Sequence, residues 1–166
     1  MSLYAVDKLM SEARRIAAEY RRTTGKSLGI SSEIAKYDAC RLLQLEPEEG
    51  SGGFDALDTR LSPPRRIQIK GRVIFDEAKS GQRIGQLKLE KEWDAVVLVL
   101  MDENFETYEI YEAERQQVID ALPPQDEKRS RRGAMSVARF KRLATLVWTR
   151  EEGLINDEIW DNQTSI

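Results

Sequence analysis

Asp55, Gln68 and Lys70 are the residues of this chain whose types and spacing best suit chemistry. Gly52-Gly53 leads into Phe54-Asp55, and further along Gln68 and Lys70 flank a single apolar residue, Ile69. Alternate side chains of an extended strand point to one face, so Gln68 and Lys70 share a face. If the segment around Asp55 pairs with that strand as a hairpin, a carboxylate, an amide oxygen and an ammonium converge. Such a group can hold a hard divalent cation and activate water. Asp58 is a rival to Asp55, but residues three apart in a strand face opposite sides unless a bulge intervenes.

The elements that must position these residues follow from periodicity. Leu3, Val6, Met10, Ala13, Ile16, Ala17 and Tyr20 recur at helical spacing between charged residues, which predicts an amphipathic helix with these residues as one buried stripe, ended by Thr23-Thr24-Gly25-Lys26. Ser31 or Ser32 offers an N-cap for a second helix, with Glu33 in its first turn and Ala35, Ala39, Leu42 and Leu43 on its apolar face. That helix stops before Pro47, and PEEGSGG forms a flexible connection to a short alternating run, Phe54 to Asp58. Ile67 to Ile74 reads as a strand, with Pro63-Pro64 turning the chain before it. Asp76 to Glu92 is polar and reads as loop with one short helical turn at most.

Trp93 to Met101 is a continuous β-branched and apolar run, the mark of a strand buried on both faces, and Asp102-Glu103-Asn104 turns it into a partner from Phe105 to Tyr111. Glu112 to Leu122 reads as a short helix ended by Pro123-Pro124. Ser136 caps a last helix with Val137, Phe140, Leu143, Ala144 and Val147 on its apolar face. The expected fold is therefore α/β, a mixed central sheet flanked by helices on both sides, in the order ααβββ(α)ββαα. The 166 residues suit one domain. Within it, 1–30 supply the first helix and a connection, 31–122 the core, and 123–166 a basic loop, a C-terminal helix and a tail.

Composition narrows the chemistry. The chain has no histidine, which removes Ser-His and Cys-His nucleophile pairs and ordinary Cys/His zinc sites. Its one cysteine, Cys40, cannot form an intrachain disulfide, so the cytoplasm is the expected compartment. No run is long and apolar enough to predict a membrane span. With 40% hydrophobic and 33% charged residues, the chain is expected to fold as an ordinary globular protein.

Gly53-Phe54-Asp55, then Gln68-Ile69-Lys70-Gly71-Arg72, preceded by a helix bearing Glu33, resembles the PD-(D/E)XK nuclease superfamily, in particular restriction-endonuclease-like members with Gln in the acidic position of the half-motif. The resemblance spans Ser31 to Met101. It implies the αβββαβ core of that superfamily, here with extra N- and C-terminal helices, and a division of labour in hydrolysing DNA phosphodiester bonds. Asp55, the oxygen of Gln68 and the main-chain carbonyl of Ile69 would ligate Mg²⁺ or Mn²⁺, Lys70 would orient or deprotonate water, and Glu33 would add a carboxylate. Neutral Gln68 leaves the formal charges of Asp55 and Lys70 cancelling, so such a site binds Mg²⁺ poorly until Glu33 or substrate phosphate contributes.

Each residue also has a plainer role: Glu33 favours the positive end of its helix, Asp55 sits in a turn, Lys70 completes a structural ion pair. Two acid-free basic stretches could meet phosphates, one containing Arg65, Arg66 and Arg72, the other Arg129, Arg131 and Arg132; a solvated surface is the alternative. Trp93, Trp148 and Trp160 could stack on bases, although packing suits the first two better. Three functions follow: a Mg²⁺-dependent nuclease acting on DNA; a catalytically inactive domain of the same fold that binds nucleic acid or protein; and an oligomerisation module whose N-terminal helix and tail contact a second copy in a homodimer.

Overall fold

The computed structural model describes residues 3–50, 52–75, 82–122 and 135–155. Two helices come first, α1 (Leu3–Thr24) and α2 (Ser31–Leu42). They are followed by β1 (Glu46–Pro47), β2 (Ala56–Asp58), β3 (Arg65–Val73), β4 (Ala95–Met101) and β5 (Thr107–Glu114). Then come α3 (Arg115–Ala121), α4 (Val137–Leu143), β6 (Thr145–Thr149) and β7 (Gly153–Leu154). The strands form one sheet in chain order, antiparallel throughout except for the parallel pair β3 and β4. Among the described residues, no helix is long and apolar enough to cross a membrane.

The sheet carries a core on each face, as the reading of the Trp93-to-Met101 run as a strand buried on both faces requires. On one face Ile67, Ile69, Val97, Val99 and Met101 pack under Ala17 and Ala18 of α1 and Ile34, Ala35 and Ala39 of α2. On the other, Val96, Leu98 and Leu100 pack with Tyr111, with Val118 of α3, and with Val137 and Phe140 of α4. All seven residues of β4 are buried, so helices on both faces keep its continuous apolar sequence from water. A parallel neighbour requires a crossover, and its described part, 82–94, runs over the second face, where Ile84, Leu87 and Trp93 join that core. Among its described residues the crossover forms no helix, but an antiparallel bridge from Arg83 to Ser136 and a turn in which the Lys91 N–H donates to the Lys88 carbonyl at 3.0 Å.

Several local readings are corrected. The start of α2 has Ile30 at its N-cap position and no side-chain cap, so Ser31 and Ser32 lie inside the helix. Within the expected flexible connection, Pro47 joins Glu46 as an edge strand paired with Leu57 and Ala56. The strand read as Phe105 to Tyr111 runs from Thr107 to Glu114, and the helix begins only at Arg115, where Glu114 and Gln117 exchange the reciprocal bonds of a capping box. The last helix ends at Leu143. Val147, which fits its helical spacing, belongs instead to β6, because Thr145 to Thr149 finds an open edge of β5 to pair with. The C-terminal addition within the described residues is thus a helix and two strands.

Candidate functional site

Asp55 stands immediately before β2, where the ladder to β3 runs out. Its own N–H donates to the Ile67 carbonyl at 2.8 Å, and the next N–H on that edge of β3, from Ile69, donates to the Asp55 carboxylate at 2.8 Å. A side chain thereby satisfies a strand edge that no neighbouring strand covers, and the carboxylate is fixed in line with the sheet. Gly53, two residues earlier, permits this path: a Cβ there would lie 2.2 Å from that of Lys91.

Gln68 and Lys70 do share a face. They pair with Val96 and Leu98, whose side chains belong to the second core, so both project away from α2. Gln68 is only 2% exposed, and its Nε2 is buried without a hydrogen-bond partner. An amide left in this state costs free energy unless something polar arrives to meet it. Lys70 is half-buried and, among the described residues, forms no ion pair. Burial pushes its ammonium below the usual lysine range; Asp55 opposes that shift, while Arg72, Lys88 and Lys36 add to it. Gly85 of the crossover lies above this pair of strand cations: a Cβ there would meet the guanidinium of Arg72 at 3.3 Å and the Lys70 Nζ at 3.8 Å.

Lys36 is the participant that sequence reasoning missed. It reaches from α2, with Nζ 3.6 Å from the second Asp55 oxygen and 3.9 Å from Glu33. The signal was its place three residues after Glu33, on the same side of one helical turn. Glu33 itself is largely exposed and meets Asp55 only through Lys36. Asp55 therefore lies between an ammonium from the helix side and the field of another from the opposite side of β3.

The other candidates separate clearly. Asp58 is 3% exposed and binds Arg60 through both oxygens, at 2.9 and 3.0 Å, a contact that holds its carboxyl below the usual range. Arg65 stands 3.2 Å from Glu112 and 3.1 Å from Glu114, although Nη2 meets neither at hydrogen-bonding angles. Arg66 binds Asp94 and Glu92. These two arginines are thus charge-compensated. Among the described residues Arg72 meets no carboxylate in this way: it donates to the carbonyls of Gly71 and Arg83 and lies beside Lys70. Trp93 is a core residue whose indole N–H donates to the Lys88 carbonyl, while Arg129, Arg131, Arg132 and Trp160 lie outside the described residues. A cleft of about 470 Å³, lined by Asp38, Arg41, Asp102, Trp148 and Arg150 among others, includes none of the candidate site residues.

The donor set decides what this group can hold. Among the described residues no three carboxylates, thiols or imidazoles cluster as metal ligands. The oxygens of Asp55 and Gln68 and the Ile69 carbonyl, which points to the same strand edge as the Ile69 N–H, are of the hard type that Mg²⁺ prefers. One carboxylate facing two lysines leaves the group without negative charge, so these residues fit a divalent ion that arrives together with an anionic phosphate. No model of a known protein family matches the chain, and neither does any curated protein sequence.

Proposed function

We propose that the chain is a metal-dependent phosphodiesterase acting on DNA, a nuclease of the PD-(D/E)XK type with glutamine in one acidic position. The observation that carries this reading is the Asp55 carboxylate, tied to the main chain between Gln68 and Lys70 and electrostatically coupled to the lysine. The order helix, antiparallel β2 and β3, then parallel β4 follows part of the αβββαβ core of that superfamily and adds support, although the described residues of the crossover before β4 supply no helix.

In this reading Asp55, Gln68 and the Ile69 carbonyl hold Mg²⁺ or Mn²⁺, which supplies Lewis-acid activation of water and of the scissile phosphate. Lys36 and Arg72 attract the phosphodiester and supply the charge against which it binds. Gln68 Nε2 makes no hydrogen bond, so turning the amide breaks none at the nitrogen. Lys70 orients the attacking water, and its lowered proton affinity suits it to pass a proton at Nζ.

Incubation of the purified chain with supercoiled and linear DNA in Mg²⁺ or Mn²⁺ tests the reading. Cleavage should appear with the ion, vanish with chelator, and fall at least a hundredfold in Asp55→Ala and in Lys70→Ala, about the effect of removing a positioned acid–base group. Cleavage that persists in both variants would overturn it.

A second reading, a non-hydrolytic nucleic-acid-binding domain of the same fold, is favoured by one contact: Lys36 already faces the Asp55 oxygen that a metal would need. Here DNA binds without cleavage, Lys36→Ala and Lys70→Ala weaken it, and Asp55→Ala tightens it by removing a negative charge. A gain in DNA affinity on adding Mg²⁺ or Mn²⁺ that Asp55→Ala abolishes belongs to the first reading, and affinity indifferent to the ion belongs to the second.

A further inference from the structure

We propose that α1 pairs antiparallel with the α1 of a second copy of this chain. The helix turns Arg14, Ala17 and Ala18 toward the body of the protein. A different stripe, Val6, Leu9, Ala13, Ile16 and Tyr20, repeats at alternating intervals of three and four residues, the spacing of a helix–helix seam. Its larger side chains stand open among the described residues, Leu9 at 54% exposed, Ile16 at 49% and Tyr20 at 39%, while Val6 and Ala13 are partly buried. Among the described residues the remaining large exposed apolar side chains, Leu61, Ile119 and Leu154, lie singly on separate segments, which is ordinary for a surface; three on one helical stripe is not.

Charge identifies the occupant. Beside the seam, on the side away from the body, runs an exposed row of alternating sign, Lys8, Glu12, Arg15 and Glu19, in which Arg15 already lies 3.4 Å from Glu19 of the same helix. A two-fold axis that sets two such helices antiparallel brings this row against the same row of the partner, running backwards. Lys8 then meets the partner's Glu19, and Glu12 meets the partner's Arg15. In the same frame Leu9 comes up against the partner's Ile16, and the small Ala13 lies near the axis, where the backbones approach most closely. A parallel pair would instead turn each charged row toward the side of the partner that carries Met10 and Ala17, where its body packs. The row is thus complementary to itself in one orientation only, and a second copy is the occupant it selects.

The test uses the full chain in sedimentation velocity over a concentration series. The wild type should pass from monomer to dimer, and Ile16→Glu, a change at a half-exposed position, should remain monomeric with an unchanged circular dichroism melt. Glu12→Lys and Arg15→Glu should each weaken the dimer by about tenfold, since each places two like-charge pairs across the seam. An equimolar mixture of these two variants should recover it, because every cross-seam pair is then opposite in sign. Effects of the substitutions within a single helix cannot be repaired by mixing, so recovery reports the contact between copies. A chain that stays monomeric throughout, a dimer that survives Ile16→Glu, or a mixture no tighter than its components overturns the proposal. None of these readouts involves DNA, metal or the Asp55 group.

Discussion

A Cβ placed on Gly71 would lie 2.3 Å from the Cβ of Ala35, so β3 and α2 touch at the one strand position that carries no side chain. This contact sets the distance between the strand that bears Lys70 and the helix that bears Lys36. Gly71→Ala is expected to push α2 outward and to destabilise the fold by about 1–3 kcal/mol, the usual cost of overpacking. Urea unfolding measures it. Ala35→Gly in the same chain should restore room and recover part of the loss, less about 1 kcal/mol for glycine in a helix. A Gly71→Ala protein as stable as the wild type would show that the helix and strand separate freely.

Asp38 is 1% exposed and accepts two bonds from the Arg14 guanidinium and one from the Thr107 hydroxyl; Arg14 also donates to the Phe105 carbonyl. Asp38→Ala leaves a buried guanidinium with only the exposed Glu106, 4.0 Å away, as counter-charge and should cost about 3 kcal/mol. Arg14→Met combined with Asp38→Ala removes both charges and should be clearly more stable than Asp38→Ala alone. Additive losses in the double variant would refute that account.

Lys70 makes a prediction in pH. Its folded-state proton affinity is below the ordinary value of 10.5, chiefly through desolvation. The native state therefore gives up the proton first as pH rises, and stability increases between the folded value and 10.5. The stability advantage of Lys70→Met over the wild type should accordingly shrink as pH climbs toward 10.5. If Lys70 acts as a cation on phosphate, DNA affinity should decline over the same interval. An advantage that is flat across this interval would mean that the ammonium is not desolvated.

Glu112 titrates in the opposite sense. Burial raises its carboxyl above the ordinary 4.5, with Arg65 opposing and Glu114 and Asp58 reinforcing the shift. The native state holds this proton longer than the unfolded chain, so stability falls as pH rises from 4.5 through the folded value. Glu112→Gln should flatten that part of the stability profile while leaving the limb below 4.5 in place. Chemical denaturation across the acid range reads both.

Strong periodicity made much of the fold legible. The apolar run that became β4 admits only a strand covered on both faces, and the helical spacing of the first segment admits little else, although α1 buries Arg14, Ala17 and Ala18 and leaves Ile16 and Tyr20 of the expected buried stripe exposed. What escaped was decided between elements. Thr145 to Thr149 carries a valine at helical spacing, yet it pairs with β5, and Glu112 to Glu114 extends a strand because Val97 to Ala95 lie opposite. The site divides in the same way. Asp55, Gln68 and Lys70 could be grouped because strand alternation is a local rule. Lys36 could not, because its approach to Asp55 depends on how closely α2 lies on β3, and so on Gly71 and Ala35. The compensation of Arg65 and Arg66 was hidden for the same reason, since their acids come from β5 and from residues just before β4.

The bond from the Ile69 amide to Asp55 has an evolutionary corollary. Its donor is an atom that every residue except proline provides, so the acid's seat tolerates almost any change in the side chain at position 69. Drift there is constrained by packing under α2 alone, while the orientation of the carboxylate is inherited from the strand.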